Sequence, residues 1–122
     1  MNNKQKIANQ IIAIKCLDKS FHIKTGVIKI NTHNNFRHEL AKFLVCWELA
    51  TTGQKFITEG IFTNGDRADI INLDSCEVVE ILYSETEAKY YDKIQTYPMK
   101  TLALQANKII NTSLKKYLHE KR

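Results

Sequence analysis

Through THNNFRHELAKFLVCWELATTG (residues 32–53), apolar side chains recur every three or four positions. Phe36, Leu40, Phe43, Leu44 and Trp47 thereby form one broad stripe. That spacing predicts a helix with its apolar stripe buried, capped by Asn34 or Asn35 and ended by Gly53. The period then shortens. QKFITEGIF, RADIINLD and EVVEILYS read as strands, joined by the turns TNGD and DSCE; the Asn-Gly pair in the first favours a tight hairpin. A three-stranded antiparallel meander directly after a helix is the expected result.

Ser84-Glu85-Thr86-Glu87 has the form of a capping box, a hydroxyl followed three residues later by a carboxylate. It opens a helix whose buried side is expected to hold Tyr90, Tyr91, Ile94 and Tyr97, and Pro98 stops it. TLALQA reads as a short strand and NKIINTSLKKYLHEK as a closing helix with Ile110, Leu114, Tyr117 and Leu118 inward. A strand reached through a helix pairs parallel with its predecessor, so the predicted class is α/β with a mixed sheet. The first part is less regular: a helix over residues 3–14, then a two-strand ribbon from FHIKTGVIKI. The 122 residues suffice for one domain, 1–122, read as a basic N-terminal extension (1–31) and a core (32–122).

Charge adds an asymmetry. Residues 1–30 hold six lysines against Asp18, and residues 101–122 hold five bases against Glu120. Between them, residues 31–100 carry eleven acids and seven bases. An acidic centre suits a divalent cation, and basic ends suit phosphates, although lysine-rich ends are also ordinary solvated surface. No apolar run approaches the roughly 20 residues of a membrane span. The N-terminus shows no secretory leader, and three cysteines without a CxxC pair fit a reducing compartment, so a cytoplasmic location is expected. The histidines lack zinc-ligand spacing with them.

Chemistry enters through two carboxylates in apolar strands. Asp69 lies between Ala68 and Ile70, and Glu80 lies within VVEIL. Either is costly to bury without a partner. Hairpin pairing around DSCE sets the two side by side, and two such groups call for a cation. Glu39 borders the buried stripe of the preceding helix and offers a third carboxylate. Held by such a set, Mg²⁺ or Mn²⁺ acidifies a bound water and covers the charge of a cleaving phosphodiester. Each residue also has a plainer reading: Asp69 paired with Arg67 or Lys55, Glu39 favoured by the helix dipole, Glu59 facing solvent, Glu85 paired with Lys89.

A helix with an inward Glu39, the strand RADI with Asp69 and the strand VVEIL with Glu80 resemble the PD-(D/E)XK nuclease superfamily. The likeness is to the small archaeal and viral Holliday-junction-resolvase-like members, and it spans about residues 33–106. It implies a restriction-endonuclease-like αβββαβα core, a mixed central sheet flanked by helices, and Mg²⁺- or Mn²⁺-dependent cleavage of duplex or branched DNA. It further implies Asp69, Glu80 and Glu39 at the metal, and a homodimer. One position departs from the pattern: the catalytic lysine, two residues after Glu80, is replaced by Leu82. Either another lysine, Lys55 or Lys89, supplies the charge, or the chain is a catalytically degenerate nuclease-fold module that binds DNA or a protein partner.

Overall fold

The computed structural model describes residues 1–83 and 87–118. Its elements are α1 (Asn3–Lys15), α2 (Phe36–Thr51), β1 (Phe56–Ile61), β2 (Arg67–Asn72), β3 (Glu77–Leu82), α3 (Glu87–Ile94), β4 (Lys100–Gln105) and α4 (Ala106–Leu118). The strands form one sheet in the order β1-β2-β3-β4. The first three run antiparallel to their neighbours, and β4 lies parallel to β3. The molecule is thus α/β with a mixed sheet. The expected capping box at Ser84 and the Glu85–Lys89 pair lie outside the described residues.

Local chemistry sets these elements. The Asn35 side chain caps α2, accepting from the His38 N–H at 2.9 Å. Gly53, at φ 73°, turns the chain off the end of that helix in the left-handed region a Cβ disfavours. Alternation along the strands then gives the sheet two apolar faces. Ile57, Ile71 and Val78 pack with Ala13, Leu17 and Phe62 on one face. Phe56, Ile70, Val79 and Ile81 pack on the other with Ala41 and Cys46 of α2 and Ala106 and Ile110 of α4.

Five expectations are corrected here. Residues 1–31 are not an appended arm. Ala13 and Leu17 are buried in the first core, and the chain is stitched to β1 by Asp18 N–H to the Ile61 carbonyl (2.8 Å) and Gly26 N–H to that of Phe56 (3.0 Å). FHIKTGVIKI forms no ribbon, and runs beside β1 without a ladder of its own. The apolar stripe of α2 is buried only in part: Leu40 and Leu44 pack against the core, but Phe36 is 77% exposed and Phe43 and Trp47 nearly half exposed, and the fully buried positions are His38, Ala41, Lys42 and Cys46. On α4 the inward side is Ala106 and Ile110, while Leu114 and Leu118 are exposed, and on α3 Tyr91 is exposed.

The basic ends consequently sit apart, α1 and α4 packing on opposite faces of the sheet. Among the described residues, no helix is long and apolar enough to cross a membrane.

The place of α1 in the core is testable. Ala13→Glu puts a carboxylate at a fully buried position and is expected to cost about 3 kcal/mol or more in urea unfolding. Ile12→Glu, at a position 54% exposed, should stay within about 0.5 kcal/mol. Equal, small effects at both positions would mean that α1 is an appendage.

Candidate functional site

The register of β2 on β3 pairs Ile70 with Val79 and, continued one residue, sets Asp69 opposite Glu80. Both side chains are buried, at 8% and 0% exposure, where two adjacent negative charges are not tolerated without compensation. They share a proton instead. Burial first, and then the hydrogen bond and charge of Asp69, push Glu80 up to about 9. Burial alone would raise Asp69 too. Hydrogen bonds from His38, the Glu80 carboxyl and the Ile81 N–H (2.8 Å) outweigh it and hold Asp69 well below the usual carboxylate range. At neutral pH, therefore, Glu80 is a neutral acid donating to an ionised Asp69.

Further groups close round this pair. The Tyr97 hydroxyl lies between Glu80 Oε1 and the Arg67 carbonyl (3.0 Å) and can give its single proton to either. Lys93 of α3 brings its Nζ to 3.5 Å from Glu80 Oε2. From α2, His38 Nε2 approaches Asp69 Oδ2 at 3.3 Å while Nδ1 meets Glu39 Oε2 at 2.7 Å. Burial lowers the His38 pKa, but the two carboxylates more than reverse this and raise it. With an acceptor at each ring nitrogen, the imidazolium is the form that satisfies both.

Glu39 anchors the arrangement. Its Oε1 accepts from Lys42 Nζ (2.6 Å) and the Asn31 N–H (2.8 Å), and its Oε2 from Asn34 (3.1 Å) besides His38. Against the upward push of burial, these donors keep Glu39 below its ordinary value. Lys42, fully buried, also donates to the Lys29 carbonyl (2.7 Å) and to Glu59 Oε2 (3.4 Å). Glu59, expected to face solvent, is instead 8% exposed.

Of the residues proposed from sequence, Asp69 and Glu80 are in direct contact, and Glu39 reaches them through His38. Lys55 lies elsewhere. Its carbonyl accepts from the Leu73 N–H at 2.9 Å, four residues along β2 from Asp69, or about 13 Å at strand rise. Lys89 is on the exposed side of α3, one turn before Lys93. The cations that do converge, His38, Lys42 and Lys93, lacked an apolar or motif signal. The spacing of Glu39 and Lys42 on one helical face was the available clue.

The groups are tied to one another rather than arrayed about a common point, and among the described residues no three His, Cys, Asp or Glu side chains are grouped to hold a metal ion. Compared with protein-family models, curated proteins and solved structures, the chain matches none.

The shared proton has a thermodynamic signature. The folded protein holds a proton on Glu80 between the ordinary carboxylate range and about pH 9, and the unfolded chain does not. Its contribution to stability is complete below about pH 4.5 and is lost as pH rises toward 9, by at most about 1.4 kcal/mol per pH unit. Glu80→Gln retains a donor to Asp69 and has nothing to ionise. Its unfolding free energy should therefore fall less steeply than the wild type's from pH 5 to 9. Parallel profiles would show that Glu80 is ionised in the native state.

Proposed function

We propose that this chain is a Mg²⁺- or Mn²⁺-dependent DNA endonuclease with a restriction-endonuclease-like core. The observation that carries the reading is the buried Asp69–Glu80 pair, joined by one proton and flanked by Lys93. The helix–three strands–helix–strand–helix order and the mixed sheet support the same core. In this reading Asp69 and deprotonated Glu80 would hold the cation, and Glu39 acts through His38. A divalent ion held there would supply Lewis acidity and lower the pKa of a bound water.

The chain's own residues do the rest. His38, fixed by Glu39, keeps Asp69 oriented, and the Tyr97 hydroxyl fixes Glu80. Lys93, 43% exposed at the side chain and adjacent to Glu80, brings positive charge to the phosphate in place of the residue replaced by Leu82. Lys42, enclosed by Glu39 and Glu59, holds the carboxylates in register. The exposed Phe36–Phe43–Trp47 stripe is a surface on which the homodimer implied by the resemblance could form.

A specific feature favours a second reading. Leu82 is 8% exposed in the apolar core, and the site's charges are balanced without a metal, as in a nuclease-fold module that binds DNA or a protein partner without cutting. Cleavage separates the two. With Mn²⁺ the wild type should nick branched or duplex DNA, Asp69→Ala should be inactive, and Lys93→Ala should lose roughly 10²-fold or more, the scale of one transition-state charge contact. DNA affinity should also fall steeply with salt. A wild type inert with every divalent cation but binding DNA in this salt-dependent way would establish the second reading. Lys93→Ala cutting at the wild-type rate would remove Lys93 from the mechanism.

A further inference from the structure

An open cavity of about 510 Å³ lies between residues 18–33 and Glu59, Ile61 and Arg67 of β1 and β2. That volume is within the usual range for a small-molecule site. Its polar floor is Glu59, which sits in the left-handed region (φ 54°) between two regularly paired residues of β1. That conformation costs a non-glycine residue on the order of 1 kcal/mol or more, and such strain clusters at binding sites. Glu59 Oε2 is engaged by Lys42 at 3.4 Å, whereas among the described residues Oε1 accepts from the Asn31 amide (3.0 Å), with the Arg67 guanidinium at 3.9 Å. A carboxylate has about four acceptor positions, so Oε1 can take a further donor from the cavity. The wall opposite includes Phe21, with the Lys29 ammonium 4.6 Å above its ring. Arg67, 57% exposed at its side chain, stands at the mouth.

An acceptor on the floor, an aromatic wall and two cations at the rim complement a flat ring with a donor edge and an attached anion. We infer that this cavity binds a nucleotide whose base is unpaired, with its hydrogen-bonding edge on Glu59 and its phosphate on Arg67 and Lys29. Arg67 lies two residues before Asp69 on β2, about 7 Å along the strand, and Glu59 lies between Thr58 and Gly60, whose partners Ile70 and Ala68 flank Asp69. The bound nucleotide therefore adjoins the phosphate over Asp69 and Glu80. A base paired in a duplex cannot present its Watson–Crick edge to Glu59, so the substrate class is DNA with an unpaired nucleotide beside the cut. This deepens the endonuclease reading and rests on it for the place of the scissile phosphate.

The test is an NMR titration of the His22 and His33 ring signals, both from the cavity wall, with dGMP in the absence of metal. Inorganic phosphate is the parallel arm. Saturable shifts with dGMP, weakened at least five-fold in Arg67→Ala and in Glu59→Gln but unchanged in Lys116→Ala on α4, are expected. Arg67→Ala alters an exposed side chain, so it reads out binding even if Glu59→Gln unfolds. The inference is overturned if phosphate alone gives the same shifts at the same affinity, if Arg67→Ala binds dGMP as the wild type does, or if dGMP shifts nothing. Binding of dGMP without any Mn²⁺-dependent cleavage would sink the endonuclease reading and leave the nucleotide site standing. Cleavage without dGMP binding would sink the nucleotide site alone.

Discussion

Two carboxyls forced together inside a sheet govern most of what is unusual in this molecule. Asp69 and Glu80 face each other across β2 and β3, so one must carry a proton while the other stays ionised. The ionised member needs donors within the protein. The structure supplies them from the backbone of Ile81 and from His38 on α2. His38 in turn needs Glu39, Glu39 needs Lys42, and Lys42 reaches Glu59. Truncating one member leaves a buried charge without its partner, which typically costs about 3–5 kcal/mol.

That chain of dependence explains how α2 is oriented. An apolar moment alone turns Phe36, Phe43 and Trp47 inward. The helix is instead rotated so that His38 and Lys42 lie over the carboxylates, with small residues, Ala41 and Cys46, at the closest approach to the sheet. Electrostatic satisfaction of β1 and β2 outweighs the burial of three aromatic rings, which are left on the surface.

The element order and strand register from residue 32 onward were legible because period, turn chemistry and the single proline all agree. Asp69 and Glu80 were legible for a different reason: an acid in an apolar strand is a local inconsistency that needs a partner. The partners themselves were not. His38, Lys42 and Lys93 sit in helices where charged residues ordinarily face water, and only the three-dimensional placement of α2 and α3 turns them inward. The role of residues 1–31 was hidden for a related reason. On α1 the buried Ala13 is small and Asn9 and Gln10 bond Asp74, while Ile7, Ile11, Ile12 and Ile14 are exposed, so the packed side has no apolar signature.

The central claim is that a divalent cation and one proton compete for the Asp69–Glu80 pair. Calorimetric titration with Mn²⁺ at pH 8, in two buffers of different ionisation enthalpy, measures that exchange directly. Glu80 is protonated there in the free protein, so binding should release about one proton per metal ion, and affinity should rise with pH toward 9. Glu80→Gln should release none from this pair. Mn²⁺ binding with no proton release, or with equal release in wild type and Glu80→Gln, would contradict the account.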